Sequence, residues 1–495
     1  MSTISAFRQN DPYEQLIQQM LAIEAQPKDR LIEQKGTKSR IKTVISDVNS
    51  NLSALHTIVK DFKSVLSNPF DAKSATVADG SGFSISAGSK AAYGSHSLEV
   101  LRLASADTRI SKQMTSSGTD LRSFFDTNGQ QTFSVEVAHP IDGDPDNRVA
   151  IDVTVDPVGT TDGEIMDEIR AAIKTSMDAA VDAGTIEKDE AANASVVKET
   201  SSTSRLSLKS GQTGFTNRLA FTDSANGLIS LLELDANVVA SGTGGGQVTA
   251  VGTSETDSEL NSKFVLDGLT LYRDANSVSD ALTDVTINLT EAGLGSKDFS
   301  IAADKDSIKG EIEGLIKKYN TVMTHLEGKM KVDGDAGIRG DLAGDSTFRG
   351  LRFGLRNDMA EMVSGQPADG PSFLSDIGIE VQDDGTLVLS DVDELLAAVE
   401  QDADAVESLF AGDDGIATRL QNRIDRFVGS GGILSQRLES IDTSIRRLDG
   451  RISNWDDKLA RREDSLRLRF ARMQEAIANL QGQQQNMNSF FGGGF

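Results

Sequence analysis

The 495-residue chain has no cysteine. Disulfides and thiolate metal sites are therefore excluded. Aromatic residues are scarce, with one Trp and four Tyr, so helix seams and sheet surfaces must carry much of the stability that large rings supply elsewhere. No stretch of eighteen apolar residues occurs, so no membrane-spanning helix is expected. The first thirty residues carry Asp11, Glu14, Glu24 and Asp29 and have no apolar core of the signal-peptide kind. If the protein leaves the cell, another export route is expected. No HExxH, GxSxG or GxxxxGK[ST] pattern is present. His56, His96, His139 and His325 stand apart in sequence, with no ligand at metal spacing.

What is abundant is acid. The net charge is -26, which argues against nucleic acid or an anionic membrane as the main partner. The charge is uneven. Residues 1–66 hold nine Lys/Arg and seven Asp/Glu, and residues 433–495 hold ten and eight. Both ends are nearly neutral, and the middle carries about -30 by difference. Residues 380–414 contain twelve Asp/Glu and no cation, which reads as a solvated acidic surface. Asp142, Asp144 and Asp146 form a DxDxD run, but Asn147 and Val153 occupy the positions where a calcium loop needs Gly and Glu. An acidic turn is the better reading. Asp333, Asp335, Asp341 and Asp345 carry the same low weight. No cofactor, metal site or catalytic residue is expected, and the chain does not read as an enzyme.

Periodicity is the strongest local signal. Ile41, Ile45, Val48, Leu52, Leu55, Val59, Phe62 and Leu66 recur in alternating steps of four and three, a heptad seam. Upstream, the same phase passes through the polar Lys38 and Gln34 to Leu31, so the seam becomes polar there. Pro27 is expected to interrupt or start a helix there, and Ser67, Asn68 and Pro69 to stop it. The carboxyl end repeats the pattern through Leu434, Leu438, Ile441, Ile445, Leu448, Ile452, Trp455 and Leu459. Arg462 then takes a seam position, and Leu466, Phe470, Met473, Ile477 and Leu480 continue it. The double step of four at 462–466–470 is a stutter. The tail GQQQNMNSFFGGGF is expected to be disordered in the free protein.

Between these seams the texture changes. Residues 74–105, 130–155, 195–222 and 263–302 read as short strands, and 163–180 as an amphipathic helix with Ile165, Ile169, Ala172 and Ile173 on one face. SGTGGGQV at 241–248 reads as a flexible loop or linker. Helices are expected again at 306–325, 346–363, 391–409 and 415–428. The fold class is therefore α+β. The expected domains are 1–66 with 430–495 as a terminal coiled-coil stalk, partly disordered when free; 67–105 with 290–429 as a helix-rich leg domain with β-hairpins; and 106–289 as an inserted β-rich head of one or two domains. Two seams of eight positions are more than separate core helices need, which favours their pairing with each other over independent packing.

Several segments then carry a resemblance. They are Leu21, Glu24, Pro27 and Leu31; AAYGSHSLEVLRLA at 91–104; RLSLKSGQTGFTNRL at 205–219; FVLDGLTLYRDANSVSDALTDVTINLT at 264–290; and Asp306, Ile308, Lys309, Ile312, Tyr319 and Asn320. GDLAGDS at 340–346, LSDIGI at 374–379, DGTL at 384–387, and Arg462, Glu463, Leu466, Phe470 and Met473 complete the set, with Gln474 where an acid is usual. Each motif is weak alone, but in this order the chain resembles the flagellar hook-associated protein 2 family, the filament cap, along nearly its whole length. The resemblance implies a structural cap at the distal end of the flagellar filament. Such a cap promotes folding and insertion of exported flagellin and prevents its leakage. It implies an extracellular protein exported by the flagellar type III system without a cleaved signal. The implied partners are further copies in a ring-like homo-oligomer (a pentamer is one candidate), flagellin, hook–filament junction proteins, an export chaperone and, as a secondary role, host or surface glycans; no nucleic acid or membrane insertion is implied. A surface adhesin and another axial junction protein are the alternative readings. The partner and oligomer seam is assigned to Ile41, Ile45, Val48, Leu52, Leu55, Val59, Phe62, Leu438, Ile441, Ile445, Leu448, Ile452, Trp455, Leu459, Leu466, Phe470 and Met473. Lys38, Arg462 and the stutter would keep the terminal pairing weak and mobile, so that it can exchange with flagellin's helices.

Overall fold

In the computed structural model, residues 12–64, 67–140, 144, 146–335 and 337–491 are described. The chain divides into two compact units, one of residues 1–70 with 305–495 and the other of residues 71–304.

The first unit is helical. Its amino-terminal helix runs Pro12–Asp61 without a break. Pro27 lies inside it and neither starts nor interrupts it, contrary to expectation. An interior proline forfeits the hydrogen bond to the carbonyl four residues back. Pro27 and Ile23 are both exposed, so water can take that carbonyl while packing of the opposite face holds the helix. The carboxyl-terminal helix runs Ile433–Phe491, through Gly482 and well into the tail expected to be disordered. Between them lie helices Lys305–Met330, Ser346–Ala360, Val392–Gln401, Ala403–Ala411 and Ile416–Ile424. The single helix expected at 391–409 is two, because Asp402 takes an extended conformation and caps the second through Ala405 N–H (2.9 Å). Lys305–Met330 buries Ile308, Ile312, Leu315, Tyr319, Val322 and Leu326, the i, i+4, i+7 stripe of a helix covered on one side.

The second unit carries most of the strands, around two apolar cores. In the first core, a five-stranded antiparallel sheet runs in the order Lys73–Val77, Lys297–Ala303, Gly94–Arg102, Ser262–Leu266, Leu269–Arg273. A three-stranded sheet of Ser277–Leu282, Val285–Leu289 and Phe83–Ala87 shares with it a core of Leu98, Phe264, Ile287 and Phe299. Leu266 and Leu269 are joined by Asp267-Gly268 with φ of 51° and 83°. Asp-Gly is the pair that tolerates such a two-residue hairpin turn. In the second core, helix Asp162–Asp182 opens with a capping box of Thr161 and Glu164 and buries Ile165, Met166, Ile169, Ile173 and Met177. It packs beside strands Arg148–Val155 and Asn193–Lys198.

The glycine-rich 241–248 segment is not a linker. Gly246–Gln247 forms a short strand against Ile110 and Arg109. The buried Arg205 donates to the carbonyls of Gly244 (2.7 Å), Gly242 (2.5 Å) and Ser111 (2.8 Å). A guanidinium presents five donors in a fixed fork, and here it gathers a loop into the sheet. Gly246 is required, since its φ is +127°. Nearby, the buried Asp107 accepts from Arg109 Nε (3.0 Å) and from Leu219 N–H (2.8 Å). Desolvation still raises its carboxyl above the usual range, with Arg109 pulling the other way.

Candidate functional site

The terminal helices pair antiparallel. Lys28 bonds Asp456 (2.5 Å), Lys35 bonds Asp449 (2.6 Å) and Lys42 bonds Asp442 (2.6 Å). Seven residues forward on one helix match seven back on the other, so the three pairs form a ladder along one flank of the heptad interface. Beyond it, Glu24 accepts from Arg462 Nε (2.9 Å) and Glu14 from Arg467 (2.9 Å). Tyr13 lies against Phe470, with ring centroids 5.6 Å apart. Arg462, the polar seam residue at the stutter, is thus held by an ion pair. The ladder has a sequence signal, lysines at 28, 35 and 42 and aspartates at 442, 449 and 456, but it becomes visible only once the helices are aligned.

The amino-terminal seam divides between two sets of partners. Continuing the ladder's register, Ile433 stands opposite residue 51. Ile41 is half-buried, and Ile45 and Val48 are buried along the stretch facing the carboxyl helix. Leu52, Leu55, Val59 and Phe62 lie beyond that helix's start and are fully buried. The amino-terminal helix packs there on Ile416–Ile424, and along a longer stretch on Lys305–Met330, whose His325 lies near Asp47. Phe62, Phe70 and Phe410 cluster at centroid distances of 5.4–5.8 Å. Lys63 Nζ donates to Gln421 (3.1 Å), and His56 Nε2 lies 2.8 Å from Asp425 Oδ1. Leu66 lies outside the described residues.

On the carboxyl helix, Leu448 and Leu466 are buried, whereas Leu438, Ile441, Ile445, Ile452, Trp455, Leu459 and Phe470 are half-buried. Met473 is exposed. Two helices cover only one side of each seam, so most of these side chains keep an open edge. The helix also runs past the residues facing Pro12. Met473, Ile477, Leu480 and Met487 there are 39%, 39%, 64% and 60% exposed. Ile17 and Leu31, absent from the expected seam, are buried in the pair. Leu31 lies on the phase extended back through the polar Lys38 and Gln34, and Ile17 continues it.

The other sequence candidates have structural employment. Asp345 caps helix Ser346–Ala360 and pairs with Arg437 (2.7 Å), while Asp341 lies 3.5 Å from Arg40. Asp144 accepts from Asp146 N–H (3.0 Å), and Asp142 lies outside the described residues. His96 bonds Asp267 and His139 bonds Glu190, each at 2.7 Å, pairings between residues far apart in sequence. His325 is lowered below the ordinary imidazole range by burial, then by Lys329. Among the described residues no group of three or more His, Asp or Glu could hold a metal, and no helix is long and apolar enough to cross a membrane.

Family comparison matches residues 12–107 to the flagellar hook-associated protein 2 N-terminus and residues 260–482 to its C-terminus. The chain belongs to the flagellar hook-associated protein 2 (FliD) family. The A-type flagellar hook-associated protein 2 of Pseudomonas aeruginosa is 27% identical over 492 residues, covering 97% of this chain and 95% of that protein. The polar flagellar hook-associated protein 2 of Vibrio parahaemolyticus is 27% identical over 237 residues, 47% of this chain and 35% of its own. The crystal structure of the D1-D2-D3 domains of the flagellar cap protein FliD from Escherichia coli shares the fold, with a TM-score of 0.52 at 21% identity over 81% of this chain and 99% of that one. Both matched segments of the family include residues of the terminal helix pair.

Proposed function

We infer that the protein is a structural component of the bacterial flagellum that caps the distal end of the filament, outside the cell. Family membership supports the flagellar assignment. The observation that supports a cap working through its terminal helices is their open seam. Seven of the carboxyl helix's expected seam residues are only half-buried in the pair, and its last turns present Met473, Ile477, Leu480 and Met487 to solvent. An amphipathic helix with an uncovered apolar edge is suited to taking further helices by the packing that pairs the first two. The reading is that exported flagellin engages this edge, folds against it and inserts beneath the cap. Copies of the chain associate through surfaces outside the stalk into a closed ring. In this reading the paired stretches of 1–66 and 430–495 form the stalk.

Deletion of residues 440–495 tests it. Cells carrying the truncated chain should assemble short filaments or none and release monomeric flagellin into the medium. Normal filaments with no flagellin released would overturn the assignment.

A further inference from the structure

The two flanks of the terminal helix pair differ. One is closed by the ladder of Lys28, Lys35 and Lys42 with Asp456, Asp449 and Asp442. The other opens into a groove of about 570 Å³ lined by Arg30, Lys38, Arg447 and Arg451 over Leu448. Among the described residues no carboxylate lies within 4 Å of any of the four cations, and the only acid lining the groove is Glu33. All four cations are exposed. Arg447 and Arg451 are one helical turn apart, where like charges repel. The arrangement therefore costs the isolated hairpin stability, and it does so in a chain of net charge -26.

We propose that this groove is a docking site for an acidic amphipathic helix of a partner protein, which lies alongside the pair as a third helix. The proposal rests on the reading of the terminal helices as the part that engages other helices. Its charge pattern is specific. Arg447 and Arg451 stand four residues apart on one wall, and Arg30 and Lys38 two turns apart on the other. Carboxylates spaced three, four or seven residues on one helix face meet both walls. Leu448 gives the groove its apolar floor between the two cationic walls. A polyanion such as nucleic acid is disfavoured by the strongly acidic remainder of the chain. Among the described residues no acid of the same chain pairs with these cations, and Asp341, close to the groove in sequence register, is already held by Arg40 (3.5 Å). The helix carrying Gln421 and Asp425 meets the amino-terminal helix at Lys63 and His56. At 1.5 Å rise per residue, His56 is roughly 27 Å along the axis from Lys38.

The test uses the full-length protein and a labelled synthetic helix of about three heptads, with Leu on one face and Glu flanking it, together with a Lys-flanked twin. Binding is read by fluorescence anisotropy at low and high salt. The Glu peptide should bind wild type, weaken as salt rises, and bind Arg447→Glu/Arg451→Glu at least roughly tenfold more weakly. The Lys twin should not bind wild type and should bind the variant reversed on both walls, Arg30→Glu/Lys38→Glu/Arg447→Glu/Arg451→Glu. Circular dichroism and Trp455 emission confirm that each variant keeps its helix pair. Equal binding of the Glu peptide to wild type and variant, or no binding to wild type at low salt, overturns the proposal. So does a variant that alters only self-association by sedimentation, which would assign the groove to a second copy. Equal peptide binding by wild type and variant, with flagellin still retained in cells, overturns the groove alone. Loss of the 440–495 deletion phenotype would overturn the capping reading beneath it.

Discussion

Reversing Lys28, Lys35 and Lys42 to Glu converts each rung of the ladder from an ion pair into facing carboxylates. The side chains are 26–52% exposed, so each pair is worth only about 0.3–0.5 kcal/mol, and reversal adds a repulsion of similar size. Three rungs therefore amount to about 2 kcal/mol, roughly thirtyfold in the local equilibrium between paired and separated helices. The chain supplies its own probe. Trp455 is its only tryptophan and sits half-buried on the carboxyl helix beside Asp456, with Lys458 Nζ 4.3 Å from its ring centroid. Denaturant titration followed by Trp455 emission should show the variant's transition at clearly lower denaturant. Circular dichroism of the remaining helices should move much less. Adding Asp442→Lys, Asp449→Lys and Asp456→Lys should return the transition to near wild type, because the rungs are restored with opposite polarity. The difference should shrink in about 1 M salt, where charges are screened over roughly 3 Å. A triple variant whose Trp455 transition is unmoved, or a sixfold variant no better than the triple, would refute the register.

Three further outcomes follow from the same structure. Phe62→Ala empties the centre of the Phe62–Phe70–Phe410 cluster and should cost about 3–5 kcal/mol by chemical denaturation; a loss under 1 kcal/mol would show that this cluster does not anchor the helices. The Tyr319 hydroxyl is fully buried and has no hydrogen-bond partner among the described residues, and burial pushes its pKa well above the ordinary phenol value. Tyr319→Phe removes an unsatisfied group and should leave stability unchanged or raise it by about 1 kcal/mol, whereas a clear loss would reveal a partner. The Asp414 carboxylate is held far below its usual range by hydrogen bonds from Arg419 first, then from Ser364. Its folded pKa is depressed, so its stabilisation is complete above the unfolded value near 4 and is lost as pH falls through the folded value. Asp414→Asn should therefore unfold at more nearly the same denaturant concentration at pH 5 and pH 3 than wild type does; an unchanged pH dependence would count against the pairing.

The two heptad seams, the strand-rich interior and the helix at 162–182 were legible from local pattern, because a core-facing stripe recurs with the period of its own element. The same property concealed how the amino-terminal seam is shared. Ile45 and Leu52 obey one period, yet only the first lies within the stretch that faces the carboxyl helix, which starts at Ile433. Buried Ile17 was missed because Gln34 and Lys38 make the seam polar between it and Ile41, although the phase itself runs back through Leu31. Pro27 and the 241–248 segment misled for a related reason. Proline and glycine propensities describe an isolated chain, and tertiary contacts worth more than those propensities held one as helix and tied the other to Arg205.

Sequence by itself determined that the chain is acidic in the middle and nearly neutral at both ends, that it has no thiol chemistry, and that its termini are helices with one apolar edge. These follow from composition and local spacing, which no folding partner can change. Only the tertiary structure decided that the terminal helices run antiparallel, which residues face one another, and that one flank is neutralised while the other is left cationic. Register is a relation between residues about 400 positions apart. It is set by which long-range pairing satisfies the most charges and buries the most apolar surface together, and no local pattern encodes that choice.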